Sequence, residues 1–138
     1  VGSQKLKDYL INFSKPFIYS TASDVHNLLS VKHSYIYLQK SINQQIKLKN
    51  LILYFKNKFE SVKLDFKPVG GGPIFGLLIP GNENCRKMAA HLQNNGFDIR
   101  PIVSPTVPKN SERLRIILHS YNSTNEIDLL FKVIVDYQ

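Results

Sequence analysis

Residues 74–119 read "IFGLLIPGNENCRKMAAHLQNNGFDIRPIVSPTVPKNSERLRIILH", and they decide the fold. "IFGLLI" (74–79) is a continuous apolar run stopped by Pro80-Gly81, the pattern of a buried strand. Asn82 or Asn84 is placed to cap a helix that turns Cys85, Met88, Ala89 and Leu92 to one side. Gly96 is placed as its C-terminal cap. "FDIRPIV" (97–103) and "RLRIILH" (113–119) read as strands around a loop rich in proline. In the second strand Arg113, Arg115, Ile117 and His119 share one face, while Leu114, Ile116 and Leu118 share the other. The apolar face belongs in a core. Two guanidinium groups on the opposite face need an anion, either an internal carboxylate or the carboxylate of a ligand.

Downstream, Ser123 with Glu126 forms a capping box. The helix it starts buries Ile127, Leu130, Phe131 and Ile134. Upstream, "VKLDF" (62–66) alternates and reads as a strand, broken by Pro68 and Gly70 to Gly72. Residues 61–138 thus predict a ββαββα domain: a small, mostly antiparallel sheet with helices on one face, of the α/β (α+β) class. Residues 1–60 predict a helical segment. Leu6, Tyr9, Leu10 and Phe13 have helical spacing, and Pro16 ends that helix. "FIYST" (17–21) is a β-type run, and Ser23 or Asp24 caps the next helix. Val25, Leu28, Leu29, Tyr35 and Ile36 form one stripe; Ile42, Ile46, Leu51, Ile52, Phe55 and Phe59 form a second. One helix of that length is unusual, so a break is expected near Ser41 to Asn43.

Composition narrows the function. The 138 residues suit about one domain, and 43% apolar content is enough for a core. No apolar run reaches the ~18 residues of a membrane span. One cysteine, Cys85, rules out an internal disulfide and suggests a reducing, cytoplasmic setting. No metal-ligand spacing is visible, so no metal is expected. The formal charge of +8 admits a nucleic acid or an anionic substrate, but the lysines are dispersed, as on solvated helix faces. Neither a nucleic-acid nor a membrane partner is therefore expected. "GGGP" (70–73) has no GK[ST] ending and leads into a strand, so it is a turn and not a phosphate cradle. Cys85, on an apolar helix face, reads as a core residue. Of the histidines, His119 alone lies near the loop and is kept as a site candidate.

Two stretches carry a likeness. "SPTVPKNSERLRI" resembles the PTVP-x-G-x-x-RLR signature of the α-oxoamine synthases, and "KPFIYSTA" (15–22) resembles their F-I-[FY]-[ST]-[ST] segment. That family comprises pyridoxal-phosphate enzymes of the aspartate-aminotransferase-like, fold type I architecture. The likeness implies an acyltransferase that condenses an amino acid with an acyl thioester, with decarboxylation, in a cytoplasmic homodimer. Within the family the resemblance is greatest to the biotin-pathway branch, which uses L-alanine and a pimeloyl thioester; glycine-using members come next. By the same likeness, Arg115 holds the amino-acid carboxylate and Thr106 contacts the substrate. Ser20 and Thr21 reach the cofactor phosphate bound mainly by the partner subunit. The family's cofactor lysine stands in a Thr/Ser-x-x-Lys-Ala-x-Gly context, which this sequence lacks. No catalytic residue is therefore assigned here. The chain reads as the C-terminal third of such an enzyme, beginning just after the lysine loop and inactive alone. Asn110-Ser111 replaces the signature glycine, and Asn tolerates the left-handed backbone that a turn needs. The rival from another class is a standalone module that binds an anion or small ligand through Arg113 and Arg115.

Overall fold

The computed structural model describes residues 2–137 and divides into two compact units, Val1–Ser41 and Ile42–Gln138.

The first unit holds α1 (Gln4–Phe13), α2 (Lys15–Ile18) and α3 (Val25–Lys40). Ser3 caps α1 by accepting from Leu6 N–H, and Asp24 caps α3 by accepting from Asn27 N–H. None of the three helices buries a residue. Tyr9 stacks on Phe13 with ring centroids 5.0 Å apart, yet both remain exposed. The β-type run expected at "FIYST" (17–21) is corrected: Phe17 and Ile18 finish a helical turn, and Tyr19 and Ser20 form a bend. Pro16 favours that turn, since it sits in its first positions, where no N–H is required. No strand exists among the described residues of this unit, so aromatic and β-branched propensity has no ladder to join.

The second unit contains α4 (Ile42–Ser61), β1 (Lys67–Gly70), β2 (Ile74–Leu78), α5 (Asn82–Asn94), β3 (Arg100–Ile102), β4 (Arg113–Ile117) and α6 (Thr124–Val135). The helix break expected between Ser41 and Asn43 falls at Ser41. The strands pair in the order β1-β2-β4-β3, and every pair is antiparallel. β2 and β3 therefore run parallel, joined through α5, with β4 inserted between them. Residues Phe75, Leu77, Leu114 and Ile116 turn one sheet face inward. Against it pack Leu51 and Phe55 of α4, Cys85, Met88, Ala89 and Leu92 of α5, and Ile127, Leu130, Phe131 and Ile134 of α6. Phe55 stacks on Phe75 at 4.4 Å and tilts against Phe131 at 5.1 Å, which fastens α4 to both the sheet and α6. α4 belongs to the second compact unit with the sheet, because its aromatic side chains complete the core.

Two strands differ from expectation. "VKLDF" (62–66) is not a strand; the ladder begins at Lys67. Val62, Leu64 and Phe66 do pack against the core, while Lys63 and Asp65 stay exposed. The alternation reports which side chains of this irregular segment are buried, not a paired strand. Pro68 is tolerated because β1 is an edge strand. β3 is short, covering Arg100–Ile102 instead of 97–103. Neither Asn82 nor Asn84 caps α5; Gly81 does, at φ 93. Gly96 takes φ 89, with Gly96 N–H bonded to Gln93 O and Phe97 N–H to Leu92 O, each at 3.0 Å. That is the paired closure expected of a glycine just past a helix. The Ser123–Glu126 capping box is present as predicted.

Candidate functional site

The site is built on β4 and the loop that leads into it. β4 is a central strand, so its register is fixed from both sides: Arg115 lies opposite Gly76 on β2 and Arg100 on β3. Arg113, Arg115 and Ile117 occupy the face turned away from α4, α5 and α6. Ile74 and Ile117 on that face stay exposed.

The two arginines differ. Arg113 is half-buried, and its Nε donates to Ser111 O at 3.0 Å. Its stem crosses Gly76, where an added Cβ would come within 3.1 Å of Arg113 Cδ. Arg113 thus closes the end of its own loop. Arg115 is exposed, and no carboxylate lies in ion-pair reach of it among the described residues. Arg100, across the ladder, is taken by Asp98 at 2.8 Å. The internal ion pair considered for the two arginines is therefore absent among the described residues, and Arg115 presents its guanidinium to solvent. A planar cation free of a protein carboxylate suits a ligand carboxylate held through two parallel hydrogen bonds.

The loop carrying Thr106 is tightly laced. Thr106 N–H donates to Val103 O at 2.9 Å and Ser111 N–H to Pro108 O at 3.0 Å. Asn110 stands at φ 66, the left-handed backbone expected for it. Two contacts reach across to the start of α5. Asn82 grips the entry: Ser104 N–H donates to its Oδ1 at 3.0 Å, and its Nδ2 donates to Ser104 O at 3.3 Å. Glu112 grips the exit: Gly81 N–H donates to its Oε2 at 3.0 Å, and Ile79 N–H donates to its backbone O at 2.9 Å. Glu112 is buried, with 3% of its surface exposed. Backbone N–H groups of Gly81, of Glu112 itself and of Asn110 hold its carboxyl below the usual range, against the opposing pull of burial. Neither residue stood out in the sequence as part of the site. The signal was present only as an acidic residue directly before two arginines, where it reads as an ion-pair partner.

Other candidates fall into place. His119 stacks on Tyr121 with centroids 4.8 Å apart and an interplanar angle of 11°. Both border a groove of about 670 Å³ that also meets Arg100, Arg115 and Leu129. Cys85 is buried, and burial followed by the charge of Glu112 pushes its thiol up, so it is a core residue and not a nucleophile. No group of His, Cys, Asp and Glu able to hold a metal occurs among the described residues. Among the described residues, no helix is long and apolar enough to cross a membrane. Ser20 and Thr21 lie in the first unit, exposed in the bend after α2, with Ser20 Oγ donating to Phe17 O at 3.3 Å. Two adjacent hydroxyls at the surface are the donor chemistry that a phosphate group accepts. Thr106 and Arg115 thus share one loop and strand of the second unit, while Ser20 and Thr21 belong to the other.

No family model matches the chain. Known proteins do. A protein of Emericella nidulans named 8-amino-7-oxononanoate synthase is 33% identical over 139 residues, covering 95% of this chain and 33% of the relative. One of the same name from Aeromonas salmonicida is 29% identical over 133 residues, covering 96% of this chain and 33% of the relative. The chain therefore spans about a third of the length of the curated relatives it matches. The crystal structure of 8-amino-7-oxononanoate synthase from Francisella tularensis superimposes with a TM-score of 0.74 at 22% identity, over 98% of this chain and 40% of that one. The four-stranded antiparallel sheet with its helices is the small C-terminal region of the fold type I, aminotransferase-like architecture. Over nearly its whole length this chain matches, in sequence and in fold, one third of an 8-amino-7-oxononanoate synthase.

Proposed function

We propose that this chain is the C-terminal, substrate-recognising part of a pyridoxal-phosphate-dependent acyltransferase of biotin synthesis, which condenses L-alanine with a pimeloyl thioester and releases carbon dioxide. The observation that carries the reading is Arg115: an exposed guanidinium without a protein carboxylate, on a central strand, nine residues after Thr106 in a laced loop. Support for the class comes from the relatives named 8-amino-7-oxononanoate synthase across 95% of the chain.

Each residue then has a task. Arg115 takes the amino-acid carboxylate through two parallel hydrogen bonds, which fixes the orientation of the amino acid about its Cα. Its contribution is positional, turning a loosely bound reactant into an oriented one. The Thr106 hydroxyl contacts the same substrate. Ser20 and Thr21 donate hydroxyl hydrogen bonds to the phosphate of a cofactor held chiefly by a partner subunit of a homodimer. Pyridoxal phosphate, when bound, supplies the electron sink that decarboxylation and acyl transfer require. No lysine of this chain stands in the family's cofactor-binding context, so the chain by itself is inactive.

The test uses a protein that carries this chain behind a lysine-bearing cofactor domain. Carboxyl-labelled L-alanine should release labelled carbon dioxide only when a pimeloyl thioester is added. Release from glycine at equal or greater efficiency would assign the glycine-using branch instead. No release with either amino acid would leave the rival anion-binding module as the better description.

A further inference from the structure

We infer that Glu112 and Asn82 are positioning residues: together they brace the 104–112 loop against the start of α5 and so set Thr106 and Arg115 for carboxylate binding. The inference rests on the substrate reading of those two residues and extends it to two side chains that touch no substrate.

The loop is ten residues of connection between β3 and β4, with internal bonds from Thr106 N–H to Val103 O and from Ser111 N–H to Pro108 O. A connection of that length would ordinarily sample several conformations. Here both ends are tied to adjacent residues of one rigid element. Asn82 makes two bonds to the backbone of Ser104, two residues before Thr106. Glu112 accepts from Gly81 N–H, and its backbone continues directly into Arg113 and β4. Gly81 adopts φ 93, so the N–H that Glu112 receives is aimed by a backbone that other residues rarely adopt. The carboxylate is buried and no lysine or arginine is bonded to it among the described residues. It is satisfied by main-chain donors instead, among them Gly81 N–H across the loop. Arg115 follows Glu112 by three residues, so a slack exit would loosen the start of the strand that carries it.

The experiment uses the 15N-labelled chain. Amide hydrogen exchange is followed at Thr106 and Ser111 in the loop and at Leu130 in α6. In parallel, the Arg115 Nε resonance is titrated with sodium acetate against sodium chloride at equal ionic strength. Glu112→Ala should speed loop exchange and weaken acetate binding by about tenfold, the effect of losing one charge-assisted hydrogen bond, while Leu130 is unchanged. Glu112→Gln should restore part of both, because its carbonyl oxygen still accepts from Gly81. Asn82→Ala, which removes both bonds to Ser104 without touching the core, should repeat the effect and serves if Glu112→Ala does not fold. Loop exchange equal to that of the unaltered chain overturns the inference, and so does a loosened loop with undiminished acetate affinity. Silence of Arg115 toward acetate in the unaltered chain instead refutes the carboxylate reading. The bracing role is then decided by loop exchange alone.

Discussion

Replacing Phe55 with alanine tests whether α4 is part of the sheet unit. Phe55 has 2% of its surface exposed and sits between Phe75 and Phe131, with centroid distances of 4.4 and 5.1 Å. Truncating a buried phenylalanine costs about 3–5 kcal/mol, from lost apolar transfer and the cavity that remains. The two ring contacts, at about 0.5–1.5 kcal/mol each, place the expected loss near the middle of that range, about 4 kcal/mol. A domain of this size gains or loses about 4–8 °C in Tm per kcal/mol, so the midpoint should fall by roughly 20 °C or more. Urea unfolding followed by far-UV circular dichroism would measure the free energy, and calorimetry the midpoint. Phe55→Leu should recover more than half the loss, since it refills most of the space. A change below about 1 kcal/mol, the range of ordinary surface substitutions, would mean that α4 does not complete this core.

Three further outcomes are expected. Arg115→Ala should weaken amino-acid binding by about tenfold or more and Arg115→Lys by less, because only the guanidinium offers a planar pair of donors; calorimetric titration with L-alanine would check both. Arg113→Ala should weaken that affinity less than Arg115→Ala does, since its Nε bonds Ser111 O at the loop end and not the ligand. Ser123→Ala removes the cap of α6 and should cost about 1 kcal/mol in denaturant unfolding. Asp128 accepts from Tyr54 Oη at 2.9 Å and pairs with Lys58 at 2.6 Å, tying α6 to α4. The Lys58 contact, then the Tyr54 hydrogen bond, lower its carboxyl in the folded state. Its stabilisation is thus present above the unfolded value, about 3.9, and is lost as pH falls through the lower folded value. Asp128→Asn should therefore be less stable than the parent at pH 7, with the gap closing as pH falls through the lowered folded value.

Much of the second unit is legible in the sequence because its signals are local. The alternation in 113–119, the glycine at 96 and the Ser123–Glu126 pair each specify their structure within a few residues. Arg113 and Arg115 on one strand face follow from the period of two alone. The failures share a different cause. "FIYST" has strand propensity but no ladder in its unit, and a strand needs a neighbour. "VKLDF" shows that alternation marks which side is buried, not whether the backbone is paired. The separate fates of Arg113 and Arg115 depend on Ser111 O and on the missing side chain at Gly76. The bonds from Asn82 to Ser104 and from Glu112 to Gly81 span 22 and 31 residues, beyond any local pattern. The candidate site was thus visible as residue types on a strand, while the bracing that holds the loop was not.

The strand order β1-β2-β4-β3 has a consequence for how the sheet is completed. β4 is the last strand to be made, yet it fills the gap between two strands made before it. Until it arrives, neither β2 nor β3 has the β4 neighbour that each takes in the folded sheet. A ribosome-bound chain that has not released residues 113–117 has two unsatisfied edges and no Arg115 side chain in register. Insertion of one strand closes the hydrogen-bonded ladder and places the guanidinium in the same event. Completion of the sheet and placement of Arg115 in register should therefore coincide during synthesis.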